Sequence, residues 1–183
     1  PVAAATPAGG RSRIVDKNLL NLPLVGAIAE MLPHARFVIC RRDPVDNGFS
    51  CWINDLAPVG FPWAGDPASI GVVAGVAERL TRHWQQSLPE RVLVVDYERF
   101  VAAPEAGSRE LLEFAGLPWD PAVLRFHETG RAVTTLSYDQ VRRPIYRSSV
   151  RRSDRYRPFL GPMLDAMRAA GLPVDPPEPE SPA

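Results

Sequence analysis

Long apolar runs are missing from this 183-residue chain, cysteine is almost absent, and the charges cancel. No stretch approaches the roughly 18–20 apolar residues that a membrane-spanning helix needs. No basic-then-apolar leader marks a secretion signal. Membrane and secreted readings fall away, and a cytoplasmic setting is the expectation. Cys40 and Cys51 are too few for a disulfide framework or a cysteine-rich zinc site, which points to a reducing interior. His34, His83 and His127 stand alone without ligand spacing, so no metal is assigned. With 21 basic and 21 acidic side chains the formal net charge is zero, which disfavours a general nucleic-acid binder. Lysine is the scarcest charged residue: Lys17 stands alone among the 21 basic side chains, the rest being arginine. Such arginine dominance fits a high-GC bacterial source.

What is present is an ordinary globular mixture, 45% hydrophobic and 23% charged, enough for one domain with a real core. Twenty prolines gather in the connections and near the end of the chain. Residues 1–12 read as a linker or the remnant of an N-terminal part, 13–172 as one α/β domain and 173–183 as a proline-rich tail. The first residue is Pro1, and the chain reads as a segment of something longer.

Hydrophobic patterning divides the domain. Arg13 to Asp16 reads as a short strand, followed by a helix over 18–32 with Leu20, Leu24, Ala27, Ile28 and Met31 inward. Pro23 favours a start near Asn21, with the proline in the first turn. Phe37 to Cys40 is a continuous apolar run, the pattern of a strand covered on both faces. Asp43-Pro44 supplies an N-cap and a first-turn proline for a helix to about Leu56, with Val45, Phe49, Trp52, Ile53 and Leu56 inward. A proline, glycine and aromatic loop (57–65) leads to a long helix over 67–87. Its inner positions are Ile70, Val73, Ala77, Leu80 and Trp84. A second buried-type strand spans 91–96, a helix 104–115, a short one 121–127 and a last one 159–170, stopped by Gly171. Strands alternating with helices mean βαβ units and a parallel sheet. Ligands of such sheets bind beyond the carboxyl ends of the strands, here after Val15, Cys40 and Val95.

Chemistry-bearing residues follow all three. Arg42 ends the second strand and Ser50 lies eight residues on in the following helix. A guanidinium fork and a hydroxyl near a helix N-terminus make a phosphate cradle; the alternative is that Arg41 or Arg42 pairs with Asp43 or Asp46 on the surface. Lys17 follows the first strand and can place an ammonium over an anion, or simply be solvated. Tyr97 follows the third, to contact a nucleobase or to fill the core. From Arg142 to Arg157 there are seven arginines and one acid, Asp154, a local charge of 7 − 1 = +6. In a neutral protein that concentration calls for an anionic partner, phosphate groups or nucleic acid, unless the stretch is a solvated loop.

The ordered set DKNLLN, FVICRRDPVDNGFS, VLVVDYERF, LPWDPAVLRFH and SYDQVRRPIYRSSV resembles the sulfotransferases. The similarity is to the bacterial kind attached to tetratricopeptide repeats and to protein-tyrosine sulfotransferases, and it spans residues 14–171. The resemblance implies a P-loop-like parallel sheet flanked by helices, the sulfotransferase fold, incomplete at the N-terminus. It implies transfer of a sulfuryl group from 3′-phosphoadenosine 5′-phosphosulfate (PAPS) to a hydroxyl acceptor such as protein tyrosine or carbohydrate, without a metal. In that reading Arg42 and Ser50 hold the 3′-phosphate, Tyr97 meets the adenine, and Ser137 and Arg152 complete the nucleotide site. Lys17 matches the catalytic lysine near the phosphosulfate bridge. Ser153 stands where the family usually has an aromatic. The family's 5′-phosphosulfate loop, P-x-S-G-T-T-like, and its acceptor-activating base do not occur in these residues, so the resemblance implies that both precede residue 1, with a repeat domain upstream. Two alternatives stay open: a non-catalytic anion- or nucleotide-binding module on the same scaffold, and a P-loop kinase-like nucleotide transferase. No G-x-x-x-x-G-K-[ST] occurs.

Overall fold

The computed structural model describes residues 13–54, 56–128 and 144–175. The chain falls into two compact units, residues 1–35 and 36–183. In the first, a 3₁₀ segment, Leu19–Leu24, runs into helix α1, Val25–Met31. Asn18 caps the segment by accepting the Leu20 N–H at 3.0 Å, and Asn21 Nδ2 donates to Asp16 at 2.8 Å. The strand expected at 13–16 does not form: Ile14 is 69% and Val15 90% exposed, and no described residue pairs with them. The Asn18 side chain instead accepts a backbone N–H at the helix start, the usual competitor of a ladder, and Asp16 accepts from the Asn21 side chain. Pro23 sits in the 3₁₀ segment, and α-helix begins only beyond it, later than the expected start near Asn21. Changing from three residues per turn to 3.6 rotates the inward face. Val25 and Ala29 are therefore the buried pair, while Leu20, Leu24 and Met31 are exposed.

The second unit holds a parallel pair, β1 (Phe37–Arg41) and β2 (Val92–Asp96), in register from Phe37↔Val92 to Arg41↔Asp96. Parallel strands need a helical crossover, and helices α2 (Pro44–Ile53) and α3 (Pro67–Ser87) supply it. Each starts as the residues dictate. Asp43 accepts the Asp46 N–H at 2.8 Å ahead of Pro44, and Asp66 accepts the Ser69 N–H at 2.8 Å ahead of Pro67. β2 leads directly into α4 (Tyr97–Ala102), then α5 (Pro104–Ala115), closed by Gly116 at φ 64°. A 3₁₀ stretch, Pro121–Glu128, follows; another, Arg152–Phe159, precedes α6 (Gly161–Ala169). β1 is not covered on both faces among the described residues. Its Phe37 and Ile39 are half-buried, whereas Val38 and Cys40 are exposed. A parallel sheet flanked by helices, the α/β class expected from the patterning, is nevertheless what the unit shows.

The core lies among α2, α3 and α6: Val45, Phe49, Ile70, Leu160, Met163, Leu164 and Met167, joined by Leu172 and Val174. Ile53, expected inward, is exposed, and Trp52 is half-buried against this cluster. Trp63, in the 3₁₀ turn Pro62–Gly65, packs on the same cluster, so the aromatic loop before α3 is tied to the helical core. Two glycines let α3 and α6 meet backbone to backbone. A Cβ on Gly71 would stand 2.6 Å from both the Met163 carbonyl oxygen and the Ala166 Cβ, and one on Gly75 would strike the Ala170 Cβ. Gly71→Ala is therefore expected to lower stability by about 1–3 kcal/mol, since backbone cannot yield as a flexible side chain does. Gly161→Ala, whose Cβ would meet nothing within 4 Å, is expected to raise stability by about 0.4–1 kcal/mol by restricting the unfolded chain. Urea unfolding midpoints at constant slope check both signs.

Candidate anion-binding site

The β1–β2 register decides which side chains meet. Because Arg41 pairs with Asp96, the next residues, Arg42 and Tyr97, leave the sheet side by side. The Arg42 guanidinium carbon lies 5.1 Å from the centre of the Tyr97 ring, a cation–π contact. Arg41 takes the surface role: its Nε donates to Asp96 Oδ1 at 2.7 Å, and that hydrogen bond raises its already high pKa.

Arg42 turns inward instead, its side chain 19% exposed. Nη2 donates to the Ser149 carbonyl and lies 3.4 Å from Asp46 Oδ2. Its Nε is buried with no hydrogen-bond partner among the described residues. Asp46 is 1% exposed. Its Oδ2 accepts the Arg151 N–H at 2.6 Å and its Oδ1 the Ser153 N–H at 2.8 Å. A buried carboxylate demands such partners. Asp43 is served separately: its own N–H donates to Glu98 Oε1 at 3.0 Å. Partial loss of water raises the Asp43 carboxyl above its ordinary value, the Asp46 and Glu98 charges push the same way, and the Asp46 N–H opposes them. Burial likewise pushes up the Cys51 thiol, against the nearby charge of Arg42.

Ser50 lies one turn beyond Asp46 on α2, half-buried, with Oγ accepting from Asn54 Nδ2 at 3.3 Å. Arg152 opens the 3₁₀ helix, exposed and without an ion pair among the described residues. That helix is held to α2 by Tyr156 stacking on Phe49 at 4.6 Å. Other arginines of the basic stretch have structural partners: Arg147 donates to the Val101 and Ala102 carbonyls, Arg151 to Asp154 and Arg157 to the Val174 carbonyl. Lys17 belongs to the first unit and is exposed. Ser137, like Arg142 and Arg143, lies outside the described residues.

The second unit thus brings Arg42 and Tyr97 into direct contact and joins the segment carrying Arg152 to them. The residue that sequence reasoning passed over is Asp46, weighed only as a surface partner for Arg41 or Arg42. Its signal was its spacing. Three residues after the N-cap Asp43, it is placed for a capping box, yet Glu98 serves the cap N–H and leaves the Asp46 carboxylate for the far segment.

A parallel strand pair joined by a helical crossover, with Arg42 beyond the end of β1 and Tyr97 beyond the end of β2, is an α/β architecture of the kind whose ligands bind beyond the carboxyl ends of the strands. A profile described as the sulfotransferase family matches residues 2–121, and the chain belongs to that family. Lys17, Arg42, Ser50 and Tyr97 fall within the matched span; Ser137 and Arg152 lie beyond it. An uncharacterized protein of Aquifex aeolicus (strain VF5) is 36% identical over 170 residues, 91% of this chain and 22% of that protein. A protein-tyrosine sulfotransferase of Drosophila melanogaster is 26% identical over 116 residues, 63% of this chain and 23% of that protein. Protein-tyrosine sulfotransferase 1 of Danio rerio is 27% identical over 139 residues, 72% of this chain and 39% of that protein. The chain therefore spans well under half the length of these relatives.

Removing the buried carboxylate leaves two backbone N–H groups without their acceptor and Arg42 without its counter-charge. Asp46→Ala is expected to cost about 3–5 kcal/mol of stability. Asp46→Asn, which keeps one accepting oxygen, is expected to cost roughly half as much. Chemical denaturation followed by circular dichroism measures both.

Proposed function

We propose that this chain carries the nucleotide-holding part of a PAPS-dependent sulfotransferase. One observation carries the reading: Arg42 is held by Asp46, the Ser149 carbonyl and the Tyr97 ring, yet keeps a buried Nε with no hydrogen-bond partner among the described residues. A fixed cation with a donor to spare suits a phosphate oxygen. Ser50, two turns into α2, is a hydroxyl donor for the same 3′-phosphate. One face of Tyr97 is occupied by the guanidinium, so adenine meets the opposite face or the phenol. Ser137 and Arg152 complete the nucleotide site on the sequence argument. Family membership supports PAPS as the donor.

In the reaction the acceptor oxygen attacks sulfur as the bond from sulfur to the 5′-phosphate oxygen breaks. The products are a sulfate ester, adenosine 3′,5′-bisphosphate and the proton given up by the acceptor hydroxyl. Negative charge grows on the departing phosphate oxygen, and Lys17 is the side chain proposed to meet it, where a cation lowers the barrier most. The names of the Drosophila and Danio relatives favour a peptide tyrosine over a carbohydrate as acceptor. A cytoplasmic setting belongs to the same reading, with Cys40 and Cys51 both free thiols. No helix among the described residues is long and apolar enough to cross a membrane.

Isothermal titration of the chain with adenosine 3′,5′-bisphosphate, AMP and ATP tests the proposal. The bisphosphate is expected to bind best, and little turnover of PAPS by the chain alone is expected. Arg42→Ala is expected to weaken bisphosphate binding by about 1.5–3 kcal/mol, with the loss confined to ligands bearing the 3′-phosphate. Ser50→Ala, which disturbs no buried charge, is expected to act in the same direction. A preference for ATP overturns the sulfotransferase reading in favour of a kinase-like transferase.

A further inference from the structure

We infer that Asp46 is a positioning residue, tying residues 149–153 to α2 so that Arg152 and Arg42 act on one bound nucleotide. The inference rests on the nucleotide reading above. Its physical basis is the alternation of the ties. Ser149 is held through its carbonyl by Arg42, while Arg151 and Ser153 are held through their N–H groups by the two oxygens of Asp46. Arg152 therefore stands between two pinned residues, its own side chain exposed and without an ion pair among the described residues. Its backbone cannot swing away from α2 unless a buried carboxylate loses its partners.

Arg151 makes the arrangement feasible by adopting the left-handed conformation, φ 59° and ψ 26°. Near such a residue successive N–H groups converge into an anion-binding concavity. Here the anion is the protein's own carboxylate. With that concavity filled, an incoming phosphate is left to the side chains: the spare Nε of Arg42 and the guanidinium of Arg152. Aspartate is the residue type the site requires. Asparagine would turn an NH₂ towards one of two N–H donors, and glutamate has no room at 1% exposure. The small side chain of Ser153, itself buried, lets its N–H reach Asp46.

The test titrates adenosine 3′,5′-bisphosphate into wild type, Asp46→Asn, Arg152→Ala and the double variant, with folding checked by circular dichroism. If Asp46 acts through Arg152, each single change weakens binding about tenfold, and the double is within about twofold of the weaker single. A purely structural role gives losses that multiply. Multiplying losses, or a folded Asp46→Asn chain that binds like wild type, overturn the inference. Amide hydrogen exchange of the free wild-type chain needs no variant: the Arg151 and Ser153 amides are expected to be protected like those inside α2. Exchange at the rate of an unstructured peptide overturns the tie itself. Wild type that does not bind the bisphosphate overturns the nucleotide role of Asp46 and Arg152 together with the functional reading, and exchange still decides the tie separately.

Discussion

A carboxylate with 1% of its surface exposed is stable only if its oxygens are answered, because removing the charge from water costs several kcal/mol. In the second unit three groups meet that demand of Asp46. Two backbone N–H groups come from a segment more than a hundred residues away in sequence, and Arg42 comes from the end of β1. The same junction then hands the chain back to the core. Beyond Ser153, Tyr156 stacks on Phe49 and Leu160 enters the apolar cluster with Met163 and Met167. Polar and apolar ties thus converge on one helix, α2, through Asp46 and Phe49 one turn apart.

The helical layer beneath has its own constraint. Gly71 and Gly75 bring α3 against α6 closely enough that a single methyl group would collide with backbone. This fixes α6, and through it the end of the Arg152–Phe159 segment, relative to the crossover that carries Arg42. Gly48 on α2 does the same from the other side: a Cβ there would stand 2.8 Å from the Met163 sulfur. The geometry of the cationic cluster is therefore inherited from close packing some distance below it.

Much of the scaffold was legible from local rules. The Asp43-Pro44 pair announced the start of α2, and Ser87 and Ala115 ended their helices where the patterning predicted. Arg42 and Tyr97 were singled out because strand ends are where parallel sheets bind ligands. The misreadings share a cause: they concerned residues whose fate depends on a distant partner. Ile14 and Val15 had strand composition, but a strand needs a neighbour and no described residue offers one. Ile53 fitted the inner face of α2 by period, yet the helix ends there and its side chain is exposed. Asp46 looked like half of an exposed ion pair because nothing local betrays two N–H groups arriving from residues 151 and 153.

Sequence alone determined the succession of β1, α2, α3, β2 and α5, the aspartates that cap α2 and α3, and the family to which the ordered set points. These depend on neighbours within a turn or two, where side-chain chemistry and chain geometry act directly. Tertiary structure alone decided that Arg42 faces Tyr97, that Arg41 pairs across the sheet while Arg42 turns inward, and that a buried aspartate gathers the basic segment. Those outcomes follow from strand register and from the closure of long loops, which bring together groups whose sequence separation carries no record of their contact.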